Sequence, residues 1–230
     1  MNKFFTRIDK ATDKLLGEYQ KYHKHVLKAV LGIIALGFVV LTILVIIFPH
    51  SFIDREFSQE VQEHQNPLLD TLMKGVSWFG FFPGSAISVL TATLLFFIFK
   101  YRREALFVFL TSTAGLISSI VKVLVNRPRP TEPLVRIVQK VSEQSFPSGH
   151  VLFYIMFFGF LTVLMDDIKT IPKAIRITVS VISLLLIFTV PFSRIYLGAH
   201  WFTDVLGGFL LGMLCLYLLS YLYFKKKAKK

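Results

Sequence analysis

The sequence predicts an all-α integral membrane protein, a bundle of six transmembrane helices with an interfacial helix between spans 1 and 2. Of its 230 residues, 54% are hydrophobic and only 17% are charged, and the mean hydropathy is +0.61. An average soluble domain is about 45–50% apolar and about 25% charged. The composition therefore excludes a disordered chain, a collagen-like chain and an ordinary soluble domain.

Uncharged apolar runs predict where the chain crosses the bilayer. The first run covers residues 29–48, about the 20 residues that a helix needs to cross the hydrocarbon. No small-residue cleavage site follows it, so we expect it to be retained rather than removed as a signal peptide. Residues 146–150 can add a turn to the short fourth run. The five further runs are 81–99, 105–121, 151–165, 177–192 and 205–224.

An additional helix is predicted between the first two spans. Asn66 and Pro67 form an N-cap followed by proline at the first helical position. Apolar residues then recur at helical spacing, at positions 68, 69, 72, 73 and 76. A single apolar face of this length is typical of a helix that lies at the membrane interface.

The distribution of basic residues predicts the orientation. With both termini in the cytoplasm, 18 of the 26 lysines and arginines fall on the inner side, and the whole net charge of +12 lies there. We expect a basic cytoplasmic segment at 1–25, a six-span domain at 26–224 and a basic cytoplasmic tail at 225–230. An anionic inner leaflet is the expected partner of this charge, and nucleic acid is not needed to explain it.

Small residues in the spans predict close helix packing. Gly208 and Gly212 form a G-x-x-x-G pattern in the sixth span, and Ala114 with Ser118 forms a similar pair in the third. Both patterns indicate packing inside one bundle, with a dimer face as the alternative. Cys215 is the single cysteine, which excludes an intramolecular disulfide and favours a small buried apolar role.

Three segments carry polar residues that membrane anchoring does not explain, and all three fall at the predicted outer edge. The first ends the third span, the second begins the fourth, and the third joins the fifth span to the sixth. Their residues are Lys122, Arg129, Ser148, Gly149, His150, Arg194, His200 and Asp204.

The cations of these segments suit a phosphoryl group. Lys122, Arg129 and Arg194 supply three positive charges, and arginine binds phosphate oxygens in a bidentate manner. Ser148 and Gly149 stand where a helix begins, so backbone N–H groups and the positive end of the helix dipole can face an anion. Gly149 has no Cβ and would let the backbone approach the anion closely.

The histidines suit phosphoryl transfer. His200 and Asp204 are four residues apart, on one face of the first turns of the sixth helix. A carboxylate that accepts a hydrogen bond from Nδ1–H leaves Nε2 free as a nucleophile. His150 is then available to protonate a leaving oxygen and afterwards to activate water. Asp204 is the only acid among these residues, so a two-metal site is not indicated.

Each feature has a structural alternative when taken alone. Lys122 could be a snorkelling anchor, and Ser148 a plain N-cap. The pair His200 and Asp204 could form a simple structural hydrogen bond. Arg127, beside Arg129, is expected to be an outer-surface charge, with a helping role at the site as the alternative. The convergence of three segments on one membrane edge favours a shared site over these separate explanations.

The three segments resemble the three-part motif of the type 2 phosphatidic acid phosphatase (PAP2) superfamily, with no departure at any motif position. They read Lys122-x6-Arg129-Pro130, Pro147-Ser148-Gly149-His150 and Ser193-Arg194-x5-His200-x3-Asp204. The six-span layout extends the resemblance over about residues 26–224. The resemblance implies a six-helix membrane bundle, an extracytoplasmic active site and no metal or other cofactor.

The resemblance also implies residue roles. His200 would be the nucleophile, Asp204 its partner and His150 the general acid and base. The phosphate-binding residues would be Lys122, Arg129, Ser148, Gly149 and Arg194. The substrates usual among bacterial relatives are undecaprenyl diphosphate, phosphatidylglycerol phosphate and phosphatidic acid, so a membrane lipid phosphatase acting through a phosphohistidine is expected.

Three other function classes are alternatives to a lipid phosphatase. A lipid phosphotransferase would pass the phosphoryl group to an alcohol, and the sequence does not separate it from a hydrolase. A non-catalytic lipid-binding protein would be expected to have lost His150 or His200, and both are present. A transporter predicts ionisable residues within several spans, whereas the apolar runs are uncharged through their centres.

Overall fold

The computed structural model describes the backbone of residues 2–227 and the side chains of residues 25–225. This part of the chain is all-helical, without a β-strand, and contains nine helices. The predicted basic segment at 1–25 and basic tail at 225–230 lie outside the described side chains except for their inner ends. The helices are α1 (Asn2–Ile47), α2 (Phe52–Val61), α3 (Pro67–Trp78), α4 (Gly84–Ile98), α5 (Arg102–Leu110), α6 (Thr113–Val125), α7 (Gly149–Asp167), α8 (Lys173–Tyr196) and α9 (Phe202–Lys227).

Within the described residues, five segments are long and apolar enough to cross a membrane, which confirms the predicted class of all-α membrane protein. These segments are His25–Ile47, Arg102–Val125, Gly149–Asp167, Lys173–Tyr196 and Phe202–Lys225. Helix α4 is apolar but has only 15 residues, a length of about 22 Å.

Two predicted spans differ in detail from the structure. The run at 105–121 lies in two helices, because the hydroxyl groups of Thr111, Ser112 and Thr113 each donate to a carbonyl three residues earlier and compete with the backbone ladder. Helix α7 begins at Gly149, so residues 146–148 do not add the expected turn, and the helix gains length at its other end.

Helix α7 is the centre of the bundle. All ten residues from Val151 to Phe160 are buried, so every face of this stretch is covered by protein. Its most extensive contacts are with α8 and α9. A helix that is apolar all round is expected in such a position, and α7 therefore provides a rigid base for residues at its N-terminus.

The G-x-x-x-G pair packs inside the chain. A Cβ atom on Gly208 would lie 2.6 Å from the carbonyl oxygen of Ser148, and one on Gly212 would lie 3.0 Å from Cβ of Ile155. The two glycines thus let α9 approach α7 closely, as small residues do at membrane-helix contacts.

Helices α2 and α3 cover the end of the bundle where α8 ends and α9 begins. Asn66 caps α3 as predicted, since its side chain accepts a 2.8 Å hydrogen bond from the amide of Leu69. Helix α2 was not predicted from the sequence. Ser51 caps it, and it packs against both α8 and α9. The polar residues of the three motif segments lie at this same end.

Candidate active site

A cavity of about 690 Å³ lies at this end of the bundle. Six of the eight candidate residues line it: Lys122, Arg129, Gly149, His150, Arg194 and His200. They come from the end of α6, the loop after it, the start of α7, the end of α8 and the turn before α9. The other two, Ser148 and Asp204, are fully buried next to the lining. The structure therefore brings all three sequence segments to one place.

Two cations of the first segment are held by the loop that follows them. Nζ of Lys122 lies 2.6 Å from Oε2 of Glu143. Arg129 donates from Nε to the backbone oxygen of Glu143 at 2.5 Å and from Nη1 to that of Ala199 at 2.5 Å. The pairing with Lys122 lowers the pKa of Glu143 below its ordinary value, so this carboxylate stays ionised at neutral pH.

Arg194 is anchored on one side and unpaired on the other. Its Nη1 donates to the hydroxyl of Ser77 and to the amide oxygen of Gln139, both at 2.9 Å. The side chain is completely buried, with its guanidinium carbon 5.0 Å from the ring centroid of Phe81. Nε and Nη2 make no hydrogen bond to the described part of the chain. Buried donors without partners are costly, and these are suited to an anionic ligand in the cavity.

His200 lies between a cation and a carboxylate. Its Nε2 is 3.3 Å from Nη1 of Arg129, and its Nδ1 is 3.5 Å from Oδ2 of Asp204. The same Oδ2 accepts hydrogen bonds from the hydroxyl of Ser145 and, at 2.8 Å, from the amide of Trp201. Asp204 is thus fixed by several donors while it faces the imidazole.

Burial keeps the His200 imidazole uncharged. The ring lies in the turn between α8 and α9 and is 2% exposed. Its burial, followed by the positive charges of Arg129, Arg194 and Lys122, lowers the pKa of His200 well below its ordinary value. The imidazole is therefore neutral at neutral pH, and the Nε2 lone pair faces the donor Nη1 of Arg129 until a ligand enters the cavity.

His150 is positioned by aromatic packing and by a glycine. Its ring lies 4.2 Å from the ring of Phe81, centroid to centroid, in an edge-on arrangement. A Cβ atom on Gly80 would collide with the His150 ring, so this glycine is needed for the observed approach. Nε2 of His150 has no hydrogen-bond partner among the described residues. The atom is thus free to exchange a proton with a ligand in the cavity.

The start of α7 offers free donors. Ser148 is the N-cap, but its hydroxyl does not bond to the helix and has no partner in the described residues. Ser118, on α6, likewise has an unpartnered hydroxyl and lies against Gly149, where a Cβ atom would be 2.9 Å from it. The Ser148 amide donates to the carbonyl of Asp204 at 2.9 Å, which ties α7 to α9.

Two residues of this region were missed or misjudged from the sequence. Arg127 was expected to be an outer-surface charge, yet its side chain is 1% exposed and lies 2.5 Å from Oδ1 of Asp204. Its other ionic partner is Asp54, at 2.6 Å, on the helix α2 that the sequence did not predict. The position of Arg127 within the repeated Arg-Pro of the first motif was the one available signal.

Among the residues whose side chains are described, no three or more His, Cys, Asp or Glu side chains are arranged so that they could hold a metal ion.

The sequence profile of the PAP2 superfamily matches residues 104–228. Among curated proteins, the chain is similar to phosphatidylglycerophosphatase B of Bacillus subtilis, with 31% identity over 175 residues, or 73% of this chain and 81% of the relative. It is also similar to an undecaprenyl-diphosphatase of Sulfolobus acidocaldarius, with 34% identity over 125 residues, or 52% of this chain and 56% of the relative.

A solved structure shares the fold. The crystal structure of the transmembrane PAP2-type phosphatidylglycerolphosphate phosphatase from Bacillus subtilis superposes with a TM-score of 0.73 at 25% sequence identity. The superposition covers 85% of this chain and 96% of that one.

Proposed function

This chain belongs to the PAP2 superfamily and is a membrane phosphatase, and we propose that it hydrolyses a lipid phosphate or diphosphate through a phosphohistidine intermediate. The observation that carries the proposal is the single cavity lined by three cations and two histidines from separate segments: Lys122, Arg129, Arg194, His150 and His200. No metal ion or other cofactor takes part in the proposed reaction.

His200 is the proposed nucleophile. Its neutral Nε2 attacks the phosphorus atom, the bond from phosphorus to the leaving oxygen breaks, and a phosphohistidine forms. Asp204 stabilises the positive charge that develops on the ring, since Oδ2 is 3.5 Å from Nδ1. Arg129 lies next to Nε2 and moves to the phosphoryl oxygens when substrate binds.

His150 is the proposed general acid and base. It gives a proton to the leaving oxygen in the first step, and in the second step it removes a proton from the water that attacks the phosphohistidine. The group returns to its starting protonation state after the two steps, so each turnover consumes one water and releases one phosphate. The unpartnered Nε2 in the cavity supports this role.

The phosphate cradle combines cations with backbone donors. Lys122, Arg129 and Arg194 neutralise the phosphoryl oxygens. Ser148 contributes its unpartnered hydroxyl, and Gly149 begins α7, so that the positive end of the helix dipole can stabilise an anion. Nε and Nη2 of Arg194 are unpartnered before the substrate arrives, so these donors can stabilise the charge of the transition state without rearrangement.

The cavity suits a substrate with an apolar tail. Beyond the phosphate site its lining continues along α4 to α6 with apolar residues, namely Phe82, Ala86, Val89, Leu90 and Phe109. Phe82 and Leu90 are also exposed on the outer face of the bundle. A lipid can therefore enter sideways from the bilayer and place only its headgroup among the cations. Undecaprenyl diphosphate, phosphatidylglycerol phosphate and phosphatidic acid are the candidate substrates, and the activities named for two relatives support the first two.

The proposed topology has six spans. Gly80 packs near His150 at the site end of the bundle, whereas Tyr101 donates to or accepts from Thr170 at 2.7 Å beyond the far end of α7. The chain between Gly80 and Tyr101 must therefore traverse the bundle. This supports α4 as a short crossing in addition to the five longer ones. Helix α3 then lies at the interface on the site side.

The charge distribution supports an outer position for the site. With six spans, the sequence assigns 18 of the 26 lysines and arginines to the side opposite the site, and basic loops remain in the cytoplasm. We therefore infer that both termini are cytoplasmic, that the segments 1–25 and 225–230 flank a domain at 26–224, and that their charge contacts an anionic inner leaflet.

Phosphate release from a panel of lipid phosphates and diphosphates in EDTA tests the proposal. The purified protein should release phosphate, and His200→Ala should lower kcat by about 10³-fold or more. His64→Ala is the matched control, because the His64 side chain is 90% exposed and should leave turnover unchanged. Full activity of His200→Ala would contradict the proposal, and a phosphorylated alcohol found by mass analysis would identify a phosphotransferase instead.

A further inference from the structure

A buried arginine bridges two carboxylates behind His200. Arg127 donates from Nη2 to Oδ2 of Asp54 at 2.6 Å and from Nη1 to Oδ1 of Asp204 at 2.5 Å. The three side chains are 1%, 0% and 0% exposed, respectively. Such a complete burial of charge is stable only when each ion has well-placed partners, so the arrangement is specific.

Asp54 also binds the start of α9. Its Oδ1 accepts a 2.8 Å hydrogen bond from the amide of Thr203, and the Thr203 hydroxyl donates to it at 2.9 Å. Thr203 immediately precedes Asp204, and its hydroxyl oxygen also accepts a bond from Arg127 at 2.7 Å. Asp54 therefore holds the first turn of α9 from another helix, and it lies outside the residues 104–228 that match the family profile.

The two oxygens of Asp204 have different partners. Oδ1 binds Arg127, whereas Oδ2 faces Nδ1 of His200 and accepts the bonds from Ser145 and Trp201. The guanidinium holds Oδ1, while the Ser145 hydroxyl and the Trp201 amide hold Oδ2, and together they fix which way the carboxylate is turned. The orientation of a carboxylate beside a histidine selects the tautomer and the nitrogen that remains free.

The charges of the three residues leave one negative charge in excess. Asp54 neutralises Arg127, so Asp204 keeps its full charge toward the imidazole. Without Asp54, the guanidinium would neutralise Asp204 and the ring would lose its counter-charge. Without Arg127, two carboxylates would lie buried together near His200, and like charges in one site repel.

We propose that Asp54 and Arg127 are positioning residues for the reaction: Arg127 orients Asp204 toward His200, and Asp54 preserves the negative charge of Asp204 by neutralising Arg127. This inference rests on the proposed role of His200 as the nucleophile. Neither residue touches the substrate in this account.

Other charged groups also face His200 and are unchanged in the variants below. They come from every element around the ring. The groups are Lys122 from α6, Arg129 and Glu143 from the loop, His150 from α7 and Arg194 from α8. His50, in the turn before α2, contacts the ring of the neighbouring Trp201.

The test is the dependence of kcat/KM on pH. Activity requires neutral His200, so kcat/KM falls at low pH as His200 becomes protonated, and this fall is called the acid limb. Arg127→Met removes a positive charge and should move this limb to higher pH by about one unit. Asp54→Asn removes a negative charge and should move it to lower pH. The double variant Asp54→Asn with Arg127→Met leaves Asp204 charged, so its limb should return toward that of the wild type.

Further variants separate charge from geometry. Arg127→Lys keeps the charge but loses the bidentate bridge, so kcat should fall about tenfold or more while the limb stays in place. The matched control is the ion pair of Asp70 with Arg136, in which Oδ2 lies 2.6 Å from Nη2. It joins the loop between α6 and α7, which also carries Arg127, to α3 and does not contact His200. Asp70→Asn and Arg136→Met should not move the limb.

The outcomes distinguish this inference from the proposed function. If the single variants do not fold, Arg127→Lys and the double variant still test the charge balance. Equal losses of activity in all variants, with the acid limb unmoved, would show that Asp54 and Arg127 are only structural residues. The proposed function would still stand in that case if His200→Ala is inactive. An active His200→Ala would overturn the proposed function itself.

Discussion

Nζ of Lys122, which is proposed to bind the substrate phosphate, lies 2.6 Å from Oε2 of Glu143. A carboxylate of the chain itself therefore takes the position beside this cation that the phosphate would take. The Glu143 side chain is 65% exposed at the cavity, whereas that of Lys122 is 9% exposed. Glu143 can therefore swing away when a phosphate arrives. Until then Glu143 neutralises the ammonium group of Lys122. Without this partner the ammonium charge would be buried alone, which is unfavourable in free energy.

Replacement of this internal competitor should strengthen substrate binding. Glu143→Gln is expected to lower KM by about two- to fivefold, the range for a partly exposed ion pair worth up to about 1 kcal/mol. Inorganic phosphate should inhibit this variant more strongly than the wild type. Glu132→Gln, an exposed glutamate in the same loop, is the control and should change neither constant.

The effect of Glu143→Gln should not depend on pH above about pH 5. Lys122 lowers the pKa of Glu143, so the wild-type carboxylate stays charged throughout that range. The difference in KM between the two proteins should vanish only when the pH falls through this lowered pKa. A difference that disappears between pH 7 and pH 5 contradicts the pairing.

Gly80 should be required for the position of His150. Gly80→Ala places a methyl group against the imidazole, and we expect kcat to fall about 10–100-fold, because small displacements of a catalytic group are costly. Gly75→Ala is the matched control, since no atom lies within 4 Å of its added Cβ. Equal turnover of the two variants would show that His150 tolerates displacement.

The apolar part of the cavity should discriminate by tail length. Gly115 lines the cavity, and nothing lies within 4 Å of a Cβ added there. Gly115→Phe should raise KM about tenfold for a long-chain lipid phosphate, by filling space needed for the tail, and leave a short-chain soluble phosphate unaffected. The control is Gly32→Phe on α1, an exposed glycine outside the cavity. A uniform change in KM for both substrates would place the tail elsewhere.

The ion pair of Asp70 should stabilise the loop over the site in a pH-dependent way. Hydrogen bonds from Arg136 and then from Tyr196 lower the pKa of Asp70 below its ordinary value. Its contribution to the free energy of unfolding is therefore complete above the ordinary pKa and is lost as the pH falls through the lowered one.

Thermal unfolding in detergent measures this contribution. Asp70→Asn should lower the Tm at pH 7, and the difference from the wild type should shrink below about pH 4. Asp166→Asn is the control, because the Asp166 side chain is 87% exposed and pairs only with a nearby lysine. A Tm difference that persists unchanged at pH 3 would mean that the ionised carboxylate is not what stabilises the loop.

The sequence predicted those parts of the site that depend on local geometry. The predicted shared helix face of His200 and Asp204 was wrong, because α9 begins at Phe202 and His200 lies in the turn before it. The short spacing of the two residues still brings them together, and Ser148 with Gly149 stands where a helix begins, as predicted. The direction of each span then brings three segments to one end. Close helix packing at Gly208 was predictable for the same reason, although its partner helix was not.

Site residues that are joined only by tertiary contacts were not predicted from the sequence. Asp54 is 73 residues from Arg127, and nothing in its own segment indicates burial. Glu143 lies in a loop without helical or motif spacing, so its pairing with Lys122 depends on how that loop folds back. The break at Thr111 depends on side-chain hydroxyl groups that compete with the helix, an effect that an apolar pattern does not reveal.

Transfer of the phosphoryl group to His200 is the central claim, and trapping of the covalent intermediate tests it most directly. A lipid phosphate labelled in its phosphorus should be mixed with the protein and quenched in base within one turnover. The label is predicted on the peptide that carries His200 and should be absent in His200→Ala. Wild-type protein that turns over without covalent label, or with label on a different residue, would contradict the account.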